Sequence, residues 1–233
     1  MTRLSTVACG PDRFRVGPWH AEDGVAYVAV PPQVGPLSAT GIDALIRHLR
    51  ASDYRNVLTA ALREQDLGPF LDAGFRERER LEVLGHDLRS ILIPSSHQQL
   101  RRPRPGERST VLAIDTTAFD HGWRLDRDGL AEAVAATART RFRVAIVEGP
   151  IGYAICGRSE DMGYLQRLAV APSAQRSGIA TALVADALHW LRRRGARRCL
   201  VNTQRSNVAA LTLYERCGFV REPSQLVVLE RAL

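Results

Sequence analysis

Lysine is absent: all 32 basic residues of the chain are arginine. That excludes a lysine base, a Schiff-base nucleophile and a phosphate loop of the Walker type, which needs a lysine. Cysteine is scarce and scattered at Cys9, Cys156, Cys199 and Cys217, with no C-x-x-C pair and no zinc-ligand spacing with the six histidines. The pattern argues against a disulfide framework and against a metal site, and reduced thiols in a cytoplasmic protein are expected. Long apolar runs are missing too. None approaches the ~20 residues of a membrane helix, and Met1–Gly10 holds no long apolar block, so neither a membrane span nor a secretory leader is expected. Aromatic residues make up only 6% and rarely interleave with the arginines, so nucleic acid is not expected as a partner.

What is present is an ordinary globular composition. The 233 residues are 45% hydrophobic and 24% charged, enough for one large domain or two small ones. The net charge of +7 is uneven: residues 1–107 carry 14 arginines against 13 acids, residues 108–233 carry 18 against 12. A basic second half suits an anionic ligand. Three prolines and a glycine punctuate the polar stretch 94–107, which reads as a linker between a segment at 1–93 and one at 108–233.

In the second segment Thr110–Ile114 reads as a short strand or the lead into a helix. Asp126–Thr137 reads as a helix with an aspartate start. Strands follow at Arg141–Val147, Ile151–Cys156 and Gly163–Val170. Gly178–Arg194 is a strongly amphipathic helix, with Ala180, Leu183, Val184, Ala187, Leu188 and Leu191 on one face. A strand at Cys199–Asn202, a short helix at Asn207–Arg216 and a strand at Leu226–Leu229 complete it. The first segment repeats this ending: Phe70-Leu-Asp-Ala-Gly-Phe-Arg-Glu77 parallels Tyr214-Glu-Arg-Cys-Gly-Phe-Val-Arg221. Upstream, Ile42–Leu49 followed by Asn56–Thr59 parallels Val184–Leu191 followed by Arg198–Val201. A diverged internal duplication is expected.

The chemically informative block runs from Leu168 to Leu183. A strand ends, a short loop follows, and Gly178 opens a helix. The first turn of a helix carries unpaired N–H groups and the positive end of the helix dipole, and so attracts phosphate. Gln175-Arg176-Ser177-Gly178-Ile179-Ala180 is not a dinucleotide fingerprint. It does resemble the acyl-CoA signature of the GNAT N-acetyltransferases, Q/R-x-x-G-x-G/A. A second GNAT-like pattern follows at Asn207-Val-Ala-Ala-Leu-Thr-Leu-Tyr214-Glu-Arg-Cys-Gly218-Phe219. The resemblance covers residues 108–233.

This resemblance implies a mixed, mostly antiparallel α/β sheet flanked by helices, with a smaller GNAT-like α/β segment before it. It implies acetyl-CoA as acyl donor, no metal, and transfer of acetyl to a primary amine: a protein N-terminus, a lysine or a small molecule. The backbone of Leu168, Ala169 and Val170 is expected to hold the pantetheine arm. Gln175, Arg176, Ser177, Gly178, Ile179, Ala180 and Thr181 form the expected pyrophosphate loop. Asn207 is expected to orient the cofactor, and Tyr214 to protonate the leaving thiolate. Reference values of ~10 for tyrosine and ~8.5 for a thiol make that transfer only mildly uphill. Ribosomal-protein alanine N-acetyltransferases, similar around the tyrosine motif, place a glutamate twelve residues before it. Here that position is Asn202, which cannot accept a proton. Glu148, Glu160, Asp161, His121 or a bound water remain as bases. In the first segment Gln33–Gly41 lacks the loop motif and Phe70 replaces the tyrosine, so that half is expected to be degenerate and to bind no acyl-CoA. The alternative is a non-catalytic module on the same fold that binds acyl-CoA, RNA or protein.

Overall fold

The computed structural model describes residues 4–19, 22–31, 36–94 and 98–233. Two compact units share the chain: one holds residues 1–83, 204–206 and 223–233, the other residues 84–203 and 207–222. Pro32 and the expected loop residues up to Gly35, like residues 95–97 of the expected linker, lie outside the described residues.

The first unit begins with strands β1 (Ser5–Cys9), β2 (Asp12–Pro18) and β3 (Val25–Ala29). Helix α1 (Ala39–Ala51) follows, then β4 (Asn56–Thr59), β5 (Leu62–Arg63), the one-turn helix α2 (Gly68–Asp72) and β6 (Arg76–His86), whose last residues belong to the second unit. Ser38 caps α1 by accepting the Gly41 N–H at 3.0 Å, and the buried Asp12 carboxylate fixes the cap by accepting from the Ser38 hydroxyl at 2.6 Å. Ile42, Leu45, Ile46 and Leu49 repeat at helical spacing and pack with Phe14, Val28, Val57 and Phe70.

The second unit opens with β7 (Gln99–Arg101), α3 (Arg108–Ala118), α4 (Arg127–Ala135), β8 (Arg139–Ile146), β9 (Pro150–Ser159) and β10 (Met162–Val170). It continues with α5 (Ile179–Arg193), β11 (Arg198–Gln204), α6 (Val208–Arg216) and the start of β12 (Val220–Ala232). Its strands are ordered β11-β10-β9-β8-β7, antiparallel except for the parallel β10–β11 pair. One face packs on α5 and α6 through Leu165, Val170, Leu183, Leu188, Leu191 and Val201. The other packs on α3 and α4 through Val111, Ile114, Leu130, Tyr153 and Ala169. The fold is thus a mixed, mainly antiparallel α/β sheet flanked by helices. Thr110–Ile114 lies within helix α3.

The last strand departs from the expected division into 1–93, 94–107 and 108–233. Residues 223–233 complete the sheet of the first unit, where β12 pairs antiparallel with β4 (Glu230 opposite Leu58) and with β5 (Val227 opposite Leu62). The physical reason is apolar: Val227 and Leu229 fill the core beneath α1. The repeat is visible in both halves. Helix, strand, short helix and strand run in the same order through α1, β4, α2 and β6 and through α5, β11, α6 and β12.

Replacing Leu229, fully buried in the first unit's core, with alanine should cost about 2–5 kcal/mol. Amide exchange should then speed up more in Ile42–Leu49 than in Leu183–Leu191. The reverse order would show that the last strand supports the other unit.

Candidate active site

The parallel contact between β10 and β11 is short. Met162, Gly163 and Tyr164 pair with Arg198, Cys199 and Leu200, and the strands part beyond them. The cause is one extra residue. Along β9 the register of β10 slips between Leu165 and Arg167, so Gln166 is a bulge. The slip also resets the side-chain alternation. Leu165 faces the α5 core, and so do Leu168 and Val170, although an unbroken period of two would have sent Arg167 there. Instead, Arg167 reaches the opposite face.

There it meets a buried carboxylate. Arg167 Nε and Nη2 each donate to Asp115 at 2.8 Å, and Nη2 also donates to the Trp123 carbonyl at 2.7 Å. The Tyr153 hydroxyl donates to the same carboxylate, and the Leu125 N–H does so at 2.7 Å. The Arg167 guanidinium lies 3.4 Å from the centre of the Phe119 ring. The segment from Phe119 to Leu125, between α3 and α4, is therefore pinned to β10 beside the split. Burial raises the Tyr153 pKa, so its proton stays on the hydroxyl.

Beyond the split the backbone of β10 has a free edge. The Ala171 N–H donates to Ile151 of β9 at 2.9 Å, so by alternation Leu168 and Val170 direct their N–H and C=O groups away from β9. The Gln175 side chain donates to the Val170 carbonyl at 3.2 Å, folding the following loop back onto the strand end. Gly178, at φ 82°, takes the left-handed turn into α5 that a side chain would strain. No side chain caps α5, unlike α4 and α6 with their caps Asp126 and Asn207. Among the described residues the N–H groups of Ile179, Ala180 and Thr181 have no acceptor. Arg176 is exposed beside them.

Asn207, expected at the cofactor, spends its Oδ1 on the Ala210 N–H at 3.1 Å and so fixes the start of α6. That helix buries Tyr214, whose ring centre lies 5.6 Å from that of Phe219. His86 also packs edge-on against Phe219, with ring centres 5.2 Å apart. Burial raises the Tyr214 pKa, and the Arg167 charge opposes this, so the phenol stays protonated at neutral pH. Its hydroxyl has no hydrogen-bond partner among the described residues. Of the candidate bases, Glu160 and Asp161 form the turn into β10 at its start, the far end from the cofactor loop. His121 lies in the pinned segment after α3, and Glu148 in the turn at the Val170 end of the sheet. Asp115, Arg167 and Gln166 escaped the sequence reading. For Gln166 and Arg167 the one trace was the interruption of apolar alternation in Leu165-Gln-Arg-Leu168, which does not by itself reveal a bulge; Asp115 had none.

The Acetyltransferase (GNAT) family matches residues 109–219. A mycothiol acetyltransferase of Salinispora arenicola is 44% identical over 244 residues, covering 87% of this chain and 77% of that protein. Another, of Geodermatophilus obscurus, is 44% identical over 62 residues, so the chain spans only 20% of that relative's length. Among solved structures, a tandem GNAT protein from the clavulanic acid biosynthesis pathway superposes with a TM-score of 0.69 at 13% identity, over 94% of this chain and 78% of that one. The chain belongs to the GNAT acetyltransferase family. Its second unit carries the GNAT signatures.

Arg176→Glu should weaken acetyl-CoA binding by about tenfold or more, roughly 1.4 kcal/mol. Calorimetry at two salt concentrations checks this, since the loss should shrink as salt screens it. An unchanged Kd in the folded variant would remove Arg176 from the site.

Proposed function

We propose that the protein is an acetyl-CoA-dependent N-acetyltransferase that acetylates a primary amine in the cytoplasm. The observation that carries this reading is the split between β10 and β11, ending at the uncapped, glycine-opened helix α5. The pantetheine arm would lie along the free edge of β10, pairing with Leu168 and the Val170 N–H as an added strand does. The pyrophosphate would sit on the N–H groups from Arg176 to Thr181, where backbone amides and dipole both favour negative charge.

In the reaction the amine nitrogen attacks the thioester carbonyl, the C–S bond breaks, and the thiolate takes a proton. Tyr214 is the donor. Burial raises its pKa, but the thiolate leaves into the same dry surroundings and is made more basic by the same desolvation.

The name mycothiol acetyltransferase, borne by several relatives, makes a small molecule of the mycothiol type the first acceptor to test. Asn202, in place of a glutamate, argues against a ribosomal-protein substrate. The first unit would bind no acyl-CoA, because its counterpart cleft is closed. Val25, Ala26 and Tyr27 pair with Asn56, Val57 and Leu58 in the register of β10 with β11. The pairing then continues through Val28 with Thr59 and the Ala60 N–H donated to Val28 at 2.6 Å.

Calorimetry with acetyl-CoA, followed by thiol release across a panel of amines, tests the whole reading. The panel comprises a peptide α-amine, a lysine side chain and the mycothiol precursor. Binding without thiol release would make the protein a binding module. Within the enzyme reading, Tyr214→Phe keeps the ring on Phe219 and removes only the O–H. Turnover should fall roughly 10²–10⁴-fold with acetyl-CoA affinity nearly unchanged. Intact turnover would assign the proton to another donor.

A further inference from the structure

His86 ends β6 and is 1% exposed. Its Nδ1 accepts the Leu88 N–H at 2.9 Å, which places the ring proton on Nε2. That Nε2 has no hydrogen-bond partner among the described residues. An apolar side chain would fill the space without leaving a buried polar atom unpaired, so the imidazole needs another reason. It lies against the turn that follows Tyr214. A Cβ added to Gly218, at φ 90°, would stand 3.0 Å from Nε2, and the Phe219 ring meets the imidazole edge-on. Phe219 in turn holds the tyrosine twice. Its N–H donates to the Tyr214 carbonyl at 3.0 Å, and its ring centre lies 5.6 Å from that of the phenol.

The first unit builds the same turn with a different plug. The Phe75 N–H donates to the Phe70 carbonyl at 3.1 Å, and Gly74 has φ 82°. Behind that turn stands Arg231 of β12. Its guanidinium is 5.9 Å from the Phe75 ring centre, and its Nε would be 3.9 Å from a Cβ at Gly74. A tight neutral ring thus accompanies the tyrosine, and a looser cation accompanies the phenylalanine, which has no proton to give. We propose that His86 is the positioning residue for Tyr214: locked by Leu88, the imidazole clamps Gly218 and Phe219 and so aims the phenol at the thioester sulfur. The proposal rests on Tyr214 as proton donor and adds what holds it in place. A permanent cation here would favour phenolate and so weaken the hold on the proton to be given. His86 is neutral at neutral pH. Burial lowers its pKa, while the Asp87 charge and the backbone of Cys217 and Ser90 oppose this. Facing it from the end of α6, the Cys217 thiol and the Tyr214 phenol keep their protons, both pKa values being raised by burial.

The test uses the whole protein, acetyl-CoA and the panel amine that releases thiol fastest. His86→Asn keeps an acceptor for the Leu88 N–H but loses the ring. It should lower kcat by roughly 10–10²-fold, the scale set by a group misplaced by about 1 Å. The Kd for acetyl-CoA and the KM for the amine should stay the same. In a Tyr214→Phe background the same substitution should cost nothing further, because no phenolic proton is left to aim. An unchanged kcat would overturn the proposal. So would equal losses in the two backgrounds, or a parallel loss of acetyl-CoA affinity, since either marks a merely structural role. Nitrogen NMR of the histidine-labelled wild type needs no variant to fold. It should show His86 as the neutral Nε2–H form at neutral pH, and an imidazolium or an Nδ1–H ring would overturn the clamp by itself. Intact turnover in Tyr214→Phe alone would instead remove tyrosine as the donor, a failure of the reading on which the clamp rests.

Discussion

Much of the second unit depends on a single inserted residue in β10. Gln166 ends the parallel ladder with β11 after three residue pairs, which frees the strand edge that a pantetheine arm would use. The same insertion keeps Leu168 and Val170 on the α5 core while turning Arg167 to the opposite face, onto Asp115. The free strand edge, the Arg167 face and the hydrophobic core are thus set by one local change in pleat. Burial of the Arg167–Asp115 pair ties the arrangement down, since neither charge can be left alone in a dry interior.

The first unit shows what the architecture does without that insertion. Its three opening residue pairs match those of β10 and β11, down to Tyr27 and Tyr164 in the same position. The ladder then runs on, and no edge is freed. The two segments therefore differ at the backbone as well as in their side chains. Phe70, packed edge-on against Phe14 and Phe75, serves only packing where Tyr214 carries a hydroxyl.

The parts legible in the sequence were those encoded locally. Helix α5 announced itself by its apolar period and by Gly178, α4 by the Asp126 cap, and α6 by Asn207 and by Tyr214 four residues before Gly218. The bulge was not legible, because a glutamine and an arginine within a strand look like ordinary exposed positions until pairing is known. Asp115 was hidden for a similar reason: its side-chain partners Tyr153 and Arg167 lie 38 and 52 residues away, and nothing in its own neighbourhood signals them. The destination of β12 was equally silent. The apolar character of Val227 and Leu229 suits any core, and only three-dimensional pairing assigns it to that of the first unit.

That assignment has a consequence for how the chain is made. The Leu229 N–H reaches the Thr59 hydroxyl across 170 positions of sequence. A ribosome emits chains from the N-terminus, and domains commonly fold in that order. Here the first unit cannot finish its sheet until the residues of the second have emerged as well. Until then β4 is exposed on the side that β12 will cover, an open edge of the kind that invites wrong partners. The first unit thus closes only after the second has been made, and a change within residues 223–233 would be felt in the fold of residues synthesised long before them.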